Sequence, residues 1–218
     1  MQFSLDEDIA TLRFDDGKAN VVSHQFADEL CNGLDRAETE ANAVIITGRP
    51  DRFSAGFDLD EFKKGADAAQ ELLQHGTEMF LRLYRHPQPV IAACTGHAIA
   101  AGAFLLLSCD TRIGTKGDFK LGLNETAIGS AFPVFGHELA KNRLSKRHLL
   151  AALVQARLYD PAAAIDAGFL DEIVDADQLE ARALTIARQL SSLPTKTYAK
   201  NKLDLRAASL SAIQESLK

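Results

Sequence analysis

Arg52-Phe53-Ser54-Ala55-Gly56-Phe57-Asp58 and Thr95-Gly96-His97-Ala98-Ile99-Ala100-Ala101-Gly102-Ala103-Phe104 are two runs of small residues whose reading decides the fold. Each follows a short β-rich apolar stretch, Val44-Ile45-Ile46-Thr47 in one case and Val90-Ile91-Ala92-Ala93-Cys94 in the other, and each leads into a helix-like segment. Glycine and alanine at such corners let bare backbone N–H groups face a cleft. Two such turns sharing one oxygen would stabilise an enolate or a tetrahedral intermediate, because donors fixed in advance need no reorganisation as charge develops. Read singly, either run is also a plain strand-to-helix turn.

Outward from these runs, Ile9-Ala10-Thr11-Leu12-Arg13-Phe14 alternates as a half-exposed strand does and is closed by Asp15-Asp16-Gly17. Phe26, Leu30, Leu34 and Ala37 recur at helical spacing, with Ser23 placed to cap the helix. Strand, helix, strand in repetition predicts a mixed α/β core of crossover units. After Phe57 the chain is polar and alanine-rich, then apolar from Leu72 to Tyr84, until His86-Pro87-Gln88-Pro89 stops the helix. A lid or acyl pocket fits that connection best. Phe104 to Cys109 is apolar all round, as a fully buried helix is, and Asp110 ends it before a strand. From about Asn142 the chain reads as mainly helical, over His148–Ala156, Pro161–Ala167 and Asp177–Leu193, with Pro161 suited to a first turn and Gly168 to a stop.

The composition excludes several classes. A length of 218 residues suits one domain. The net charge of −6 argues against a nucleic-acid binder, which shows a basic face. No segment approaches the roughly 20 apolar residues of a membrane span, and the acidic start Met1-Gln2-Phe3-Ser4-Leu5-Asp6-Glu7-Asp8 lacks the positive charge of a signal peptide. A cytoplasmic protein without membrane contact is therefore expected. Cys31, Cys94 and Cys109 have no metal-ligand spacing and read as reduced thiols.

A third segment, Leu121-Gly122-Leu123-Asn124-Glu125-Thr126-Ala127-Ile128-Gly129, completes an ordered set. Together the three resemble the signatures of the crotonase family, the enoyl-CoA hydratases and isomerases, and Asn-Glu-Thr is closest to the enoyl-CoA delta isomerases. The likeness runs from about Leu5 to about Asp175. It implies a crotonase (ClpP/crotonase-like) α/β fold of stacked ββα units, with a core over residues 1–160 and a short helical region over 161–218 that serves oligomerisation as a homotrimer or a dimer of trimers. It implies an acyl-CoA thioester as substrate, with coenzyme A part of that substrate and no separate cofactor or metal.

Carried onto matching positions, the resemblance makes the N–H groups of Phe57 and Ala101 the oxyanion hole and Glu125 the acid–base carboxylate. Ala55, Gly56, Asp58, Ala100, Gly102, Phe104, Phe132 and Pro133 would adjoin the substrate, and Lys18 and Arg52 would meet the coenzyme's phosphates. Two departures matter. Ala100 and Ala101 stand where the family has consecutive glycines, so the hole requires a negative φ at position 101. Phe104 stands where hydratases carry a second Glu. Moving a double bond needs one base, whereas adding water benefits from two carboxylates, so this chain reads as a 3-enoyl-CoA to 2-enoyl-CoA isomerase. Enoyl-CoA hydratase, another lyase or hydrolase of the family, and a non-catalytic acyl-CoA binder are the alternatives.

Other side chains have structural readings beside functional ones. Asp58 can cap a helix instead of touching substrate. His97 and His137 flank the motifs, Lys196, Lys200 and Lys202 form a basic cluster, and Ser54 and Ser108 lack the base and orienting acid of a nucleophilic serine.

Overall fold

Strands buried on both faces need two cover layers, and Ala43–Thr47 and Val90–Cys94 are buried at every residue. The computed structural model describes residues 1–218. The chain begins with β1 (Gln2–Asp6), β2 (Ile9–Arg13), α1 (His24–Glu40), β3 (Ala43–Thr47), β4 (Asp51–Ser54), α2 (Leu59–Phe62) and α3 (Ala66–Tyr84). It continues through β5 (Val90–Cys94), β6 (Gly96–Ile99), α4 (Ala101–Ser108), β7 (Thr111–Thr115), β8 (Leu121–Gly122), a 3₁₀ turn (Glu125–Ile128) and α5 (Val134–Arg143). The remainder is a π turn (Leu150–Val154), α6 (Pro161–Ala167), β9 (Glu172–Val174), a 3₁₀ turn (Ala176–Gln178), α7 (Leu179–Ser191) and α8 (Thr195–Glu215).

Three successive strand pairs split between two sheets. β3, β5 and β7 enter a six-stranded sheet of order β1-β2-β3-β5-β7-β9, and β4, β6 and β8 form a second sheet of order β4-β6-β8. Only β1 with β2 is antiparallel. The expected stacked ββα units are therefore present, each giving one strand to each sheet.

The period of two along the strands sorts the core. Ala10, Leu12, Val44, Ile46, Val90 and Ala92 face the main cluster with α1, α3 and α4, while Ile9, Ile45, Ile91, Ala93 and Ile113 face α7 through Leu179, Ala183 and Ala187. Every residue of α4 is buried, which the uninterrupted apolar run predicted. Ser23 caps α1 by accepting from the Phe26 N–H, Asp160 caps α6 ahead of Pro161, and Gly168 ends α6 in the left-handed region.

Several expectations change. Residues 148–156, read as a helix, make only the π turn, with the Gln155 N–H bonded to the Leu150 carbonyl. The helices α5 and α8 escaped the spacing analysis, because neither has a clean apolar stripe. Residues 161–218 are not helical throughout, because β9 pairs with β7, and α7 covers one face of the large sheet. Asp110 does more than end α4. It is a buried carboxylate that accepts from Lys202 (2.6 Å), Arg206 (2.7 Å), Tyr198 (3.1 Å) and the Val90 N–H (2.9 Å). Lys202 is thus an interior counter-ion, and Lys200 pairs with Asp204, so the basic cluster is not one solvated patch.

Candidate active site

The pairing of β4 with β6 sets the two small-residue corners side by side. Arg52 lies opposite His97 and Ser54 opposite Ala98, so the chain leaves both strands at the same end. Contact between the corners is close: a Cβ placed on Gly56 would stand 3.0 Å from the Ala100 Cβ and 3.6 Å from the Ala101 nitrogen. Gly56 itself has φ +108°, a region that side-chain-bearing residues rarely enter.

Phe57 forms a bridge with Val22, in which the Val22 N–H donates to the Gly56 carbonyl (2.8 Å) and the Asp58 N–H donates to the Val22 carbonyl (3.1 Å). Because successive groups of an extended chain point to opposite sides, the N–H of Phe57 is turned away from Val22, and no backbone carbonyl accepts it. Ala101 opens α4, so its N–H has no partner inside the helix, while Ala103 and Phe104 both donate to the Ala100 carbonyl. Position 101 keeps the negative φ that the hole requires. The unusual angle falls one residue earlier, on Ala100, with φ +53° and ψ −123°. Gly102 must be glycine for a different reason: a Cβ there would lie 2.2 Å from the Ser54 carbonyl oxygen.

Glu125 reaches the same place from the third unit. β8 pairs with β6, and the Ala100 N–H donates to the Gly122 carbonyl (3.0 Å), so the 3₁₀ turn that starts at Glu125 emerges beside the corner. Glu125 is 8% exposed, and its Oε2 is buried without a hydrogen-bond partner. Burial pushes the carboxyl from 4.5 up to about 7, against the pull of its own N–H and that of Asn124. The Oδ1 of neighbouring Asn124 is likewise buried and unpartnered.

Phe57, Ala100 and Glu125 line a cleft of about 510 Å³ together with Phe104, Pro133 and Phe135, while Ala101, the residue after Ala100, is fully buried and outside the lining. Phe104 is 1% exposed and belongs to an aromatic wall, its ring 5.1 Å from that of Phe135, 6.1 Å from Phe80 and 6.3 Å from Phe132. Glu125 is the one buried carboxyl in the lining, since Asp58 and Asp60 lie nearer solvent.

Of the residues singled out in the sequence, Ala55 and Asp58 also line the cleft, and Asp58 caps α2 by accepting from the Asp60 N–H (2.9 Å). Gly56 and Gly102 contribute close backbone packing. Lys18 is exposed next to Ala19, which is in the lining, and its carbonyl accepts from Arg49. Arg52 and Phe132 are outside the lining; the Arg52 guanidinium turns back to the Asp51 carbonyl (3.0 Å). His97 accepts from the Lys120 N–H (3.0 Å) and His137 lies beside the Phe132 ring, both away from the cleft. Leu59, Phe62, Lys63 and Leu73 fall in the connection assigned to the pocket, whereas sequence reasoning named no role for Asn124 and Ile128. Asn124 was the detectable one, as the neighbour of Glu125 within the third motif.

Known proteins resemble this chain over nearly its whole length. The family model described as "Enoyl-CoA hydratase/isomerase" matches residues 5–218. The chain is 30% identical over 210 residues to the human protein named enoyl-CoA delta isomerase 1, mitochondrial, covering 94% of this chain and 70% of that one. It is 35% identical over 133 residues to a probable enoyl-CoA hydratase of Bacillus subtilis, covering 59% of this chain and 51% of that one. A crystal structure of an enoyl-CoA hydratase/isomerase family protein from Pseudomonas syringae superposes with a TM-score of 0.96 at 40% identity, covering 99% of this chain and 94% of that one.

Proposed function

The chain belongs to the enoyl-CoA hydratase/isomerase family, and from that premise we propose that it moves the double bond of a 3-enoyl-CoA thioester into conjugation, giving the 2-enoyl-CoA. One observation supports this reading above the rest: a single buried carboxyl, Glu125, whose Oε2 has no partner, shares the cleft with two corners whose amides lack acceptors.

The thioester oxygen accepts from the N–H groups of Phe57 and Ala101. Ionised Glu125 takes the C2 proton, and the electron pair of that C–H bond forms the C1–C2 double bond of a dienolate as the carbonyl π pair passes to the oxygen. The dienolate then collapses: the carbonyl reforms, the C1–C2 pair moves to C2–C3, the C3–C4 pair takes the proton at C4 from Glu125, and the carboxylate is restored. A base poised near neutrality suits both steps, because it neither holds nor releases the proton too strongly. Phe104 and Phe135 keep water from the dienolate, and the lining holds no second buried carboxylate of the kind hydration would use, since Asp58 and Asp60 lie nearer solvent. Lys18 and Lys63 at the rim provide positive potential for the coenzyme's phosphates.

Purified protein offered 3-enoyl-CoA and 2-enoyl-CoA separately, with thioester conjugation followed by ultraviolet absorbance, decides between reactions. Conjugation should appear with the first substrate and persist with the second. Turnover of the 2-enoyl-CoA alone would instead identify a hydratase. A Glu125→Gln variant should bind the thioester normally and lose turnover by about 10²–10⁴-fold; unchanged turnover would remove Glu125 from the reaction.

A further inference from the structure

Phe57 is held by contacts that close a ring through two helices. Its backbone is zipped to Val22, two residues before α1 starts at His24. One edge of its aromatic ring abuts α3, so that a Cβ on Gly76 would stand 2.4 Å from the Phe57 Cε1. His75 is the next residue on α3. The imidazoles of His24 and His75 face each other with centroids 5.2 Å apart, and their Nδ1 atoms are 2.9 Å apart. On its other side, His75 Nε2 is 3.0 Å from Asp28 Oδ1. The remaining polar ties between α1 and α3, from Arg82 to Asp35 and Glu38, are at the far ends of these helices.

Two ring nitrogens at this distance bond only when one carries a proton and the other does not. When both rings are neutral, the Asp28 carboxylate, which can only accept, places the His75 proton on Nε2 and leaves His75 Nδ1 as a bare lone pair. His24 must then donate through Nδ1–H. The resulting order runs His24 to His75 to Asp28, tying the first turn of α1 to the stretch of α3 on which the Phe57 ring rests.

We propose that His24 and His75 form a positioning couple that fixes the Phe57 turn, and thereby the direction of its N–H, without touching substrate. The inference rests on the assignment of that N–H to the thioester oxygen. Loosening either side of the ring of contacts frees the corner to rotate, which weakens the oxyanion contact more than it weakens substrate binding.

Three measurements test it. In the free wild-type protein at alkaline pH, histidine side-chain nitrogen resonances should identify His24 as the Nδ1–H tautomer and His75 as the Nε2–H tautomer; the opposite assignment overturns the couple. His24→Ala should lower kcat about ten- to a hundredfold with little change in KM. His24→Asn, whose Nδ2–H stands where the imidazole Nδ1–H stood, should restore most of the rate. Equal losses in both variants would mark a merely structural residue, and an unchanged kcat in His24→Ala would refute the proposal. The carbonyl stretch of bound 2-enoyl-CoA, read by infrared difference spectroscopy, should be lowered in the wild type, less so in His24→Ala, and again fully in His24→Asn. That reading needs no turnover. A protein that polarises the thioester in this pattern but does not isomerise it would sink the proposed reaction and leave the couple standing.

Discussion

Glu125 and Ala100 show how single residues are placed at a cost to stability. The Glu125 carboxyl titrates near 7 because its charged form is poorly solvated. Its folded value is therefore above the unfolded one. Such a group favours folding at low pH, and that advantage is lost as the pH rises from about 4.5 through about 7. The shift corresponds to roughly 3 kcal/mol at most. Glu125→Gln should accordingly raise the denaturation midpoint at pH 8 while abolishing turnover, and a midpoint unchanged or lowered would contradict the buried charge. For the same reason kcat/KM should climb about tenfold per pH unit below 7 and level off above it, since the base must be ionised; a flat profile would exclude Glu125 as the base. Ala100 has a φ of +53° that glycine adopts freely. Relief of about 1–3 kcal/mol of strain, less about 0.5–1 kcal/mol for glycine's chain entropy, leaves a net stabilisation near 1 kcal/mol for Ala100→Gly, measurable as a higher urea midpoint. Glutamate, alanine and glycine side chains were all visible in the sequence. Which of Ala100 and Ala101 bears the strain was not, because that depends on where α4 begins.

At the scale of elements, α8 is the part that chemistry alone would not have placed. Its spacing shows no apolar stripe, yet Lys202 and Arg206 are buried, at 8% and 6% exposure. They reach the carboxylate of Asp110 and two backbone carbonyls, Gln88 and Tyr84, so the helix docks through charge-assisted bonds. Burial alone would raise the Asp110 pKa, but the two cations hold it below the ordinary carboxylate value. Removing that carboxylate strands both cations. Asp110→Ala is expected to cost about 3–5 kcal/mol in chemical denaturation and to speed amide exchange along α8; a loss below 1 kcal/mol would mean that the carbonyls suffice. The short helix α2 and the longer α3 make the opposite point. Their polar, alanine-rich segment was legible as a pocket wall, and Leu59, Phe62, Lys63 and Leu73 do line the cleft, where Phe62 of α2 and Phe80 of α3 both pack against the Phe57 ring.

On the scale of the whole molecule, two sheets sharing three strand pairs bring corners from residues 57, 101 and 125 to one cleft. A homotrimer or dimer of trimers belongs to the proposed reading. Leu193, Leu203 and Leu205, the last 83% exposed, leave apolar surface on the C-terminal region for such assembly. Sedimentation equilibrium should return three or six times the 23.7 kDa chain mass; a monomer at micromolar concentration would refute it. No helix is long and apolar enough to cross a membrane.

What the sequence by itself determined was local and periodic. Apolar runs of β-branched residues made the inner strands, Ser23, Pro161 and Gly168 bounded helices, and three ordered motifs announced the architecture and the carboxylate. The strands and helix boundaries follow from interactions among residues near one another in the chain, whereas the motifs were read through their resemblance to a family. Tertiary structure alone decided the rest: that β9 completes the large sheet, that Lys202 turns inward to Asp110, that Arg52 is left outside the cleft, and that His24 meets His75. Those outcomes depend on contacts between residues tens of positions apart, and on whether burial leaves a polar atom paired or bare, which no local pattern encodes.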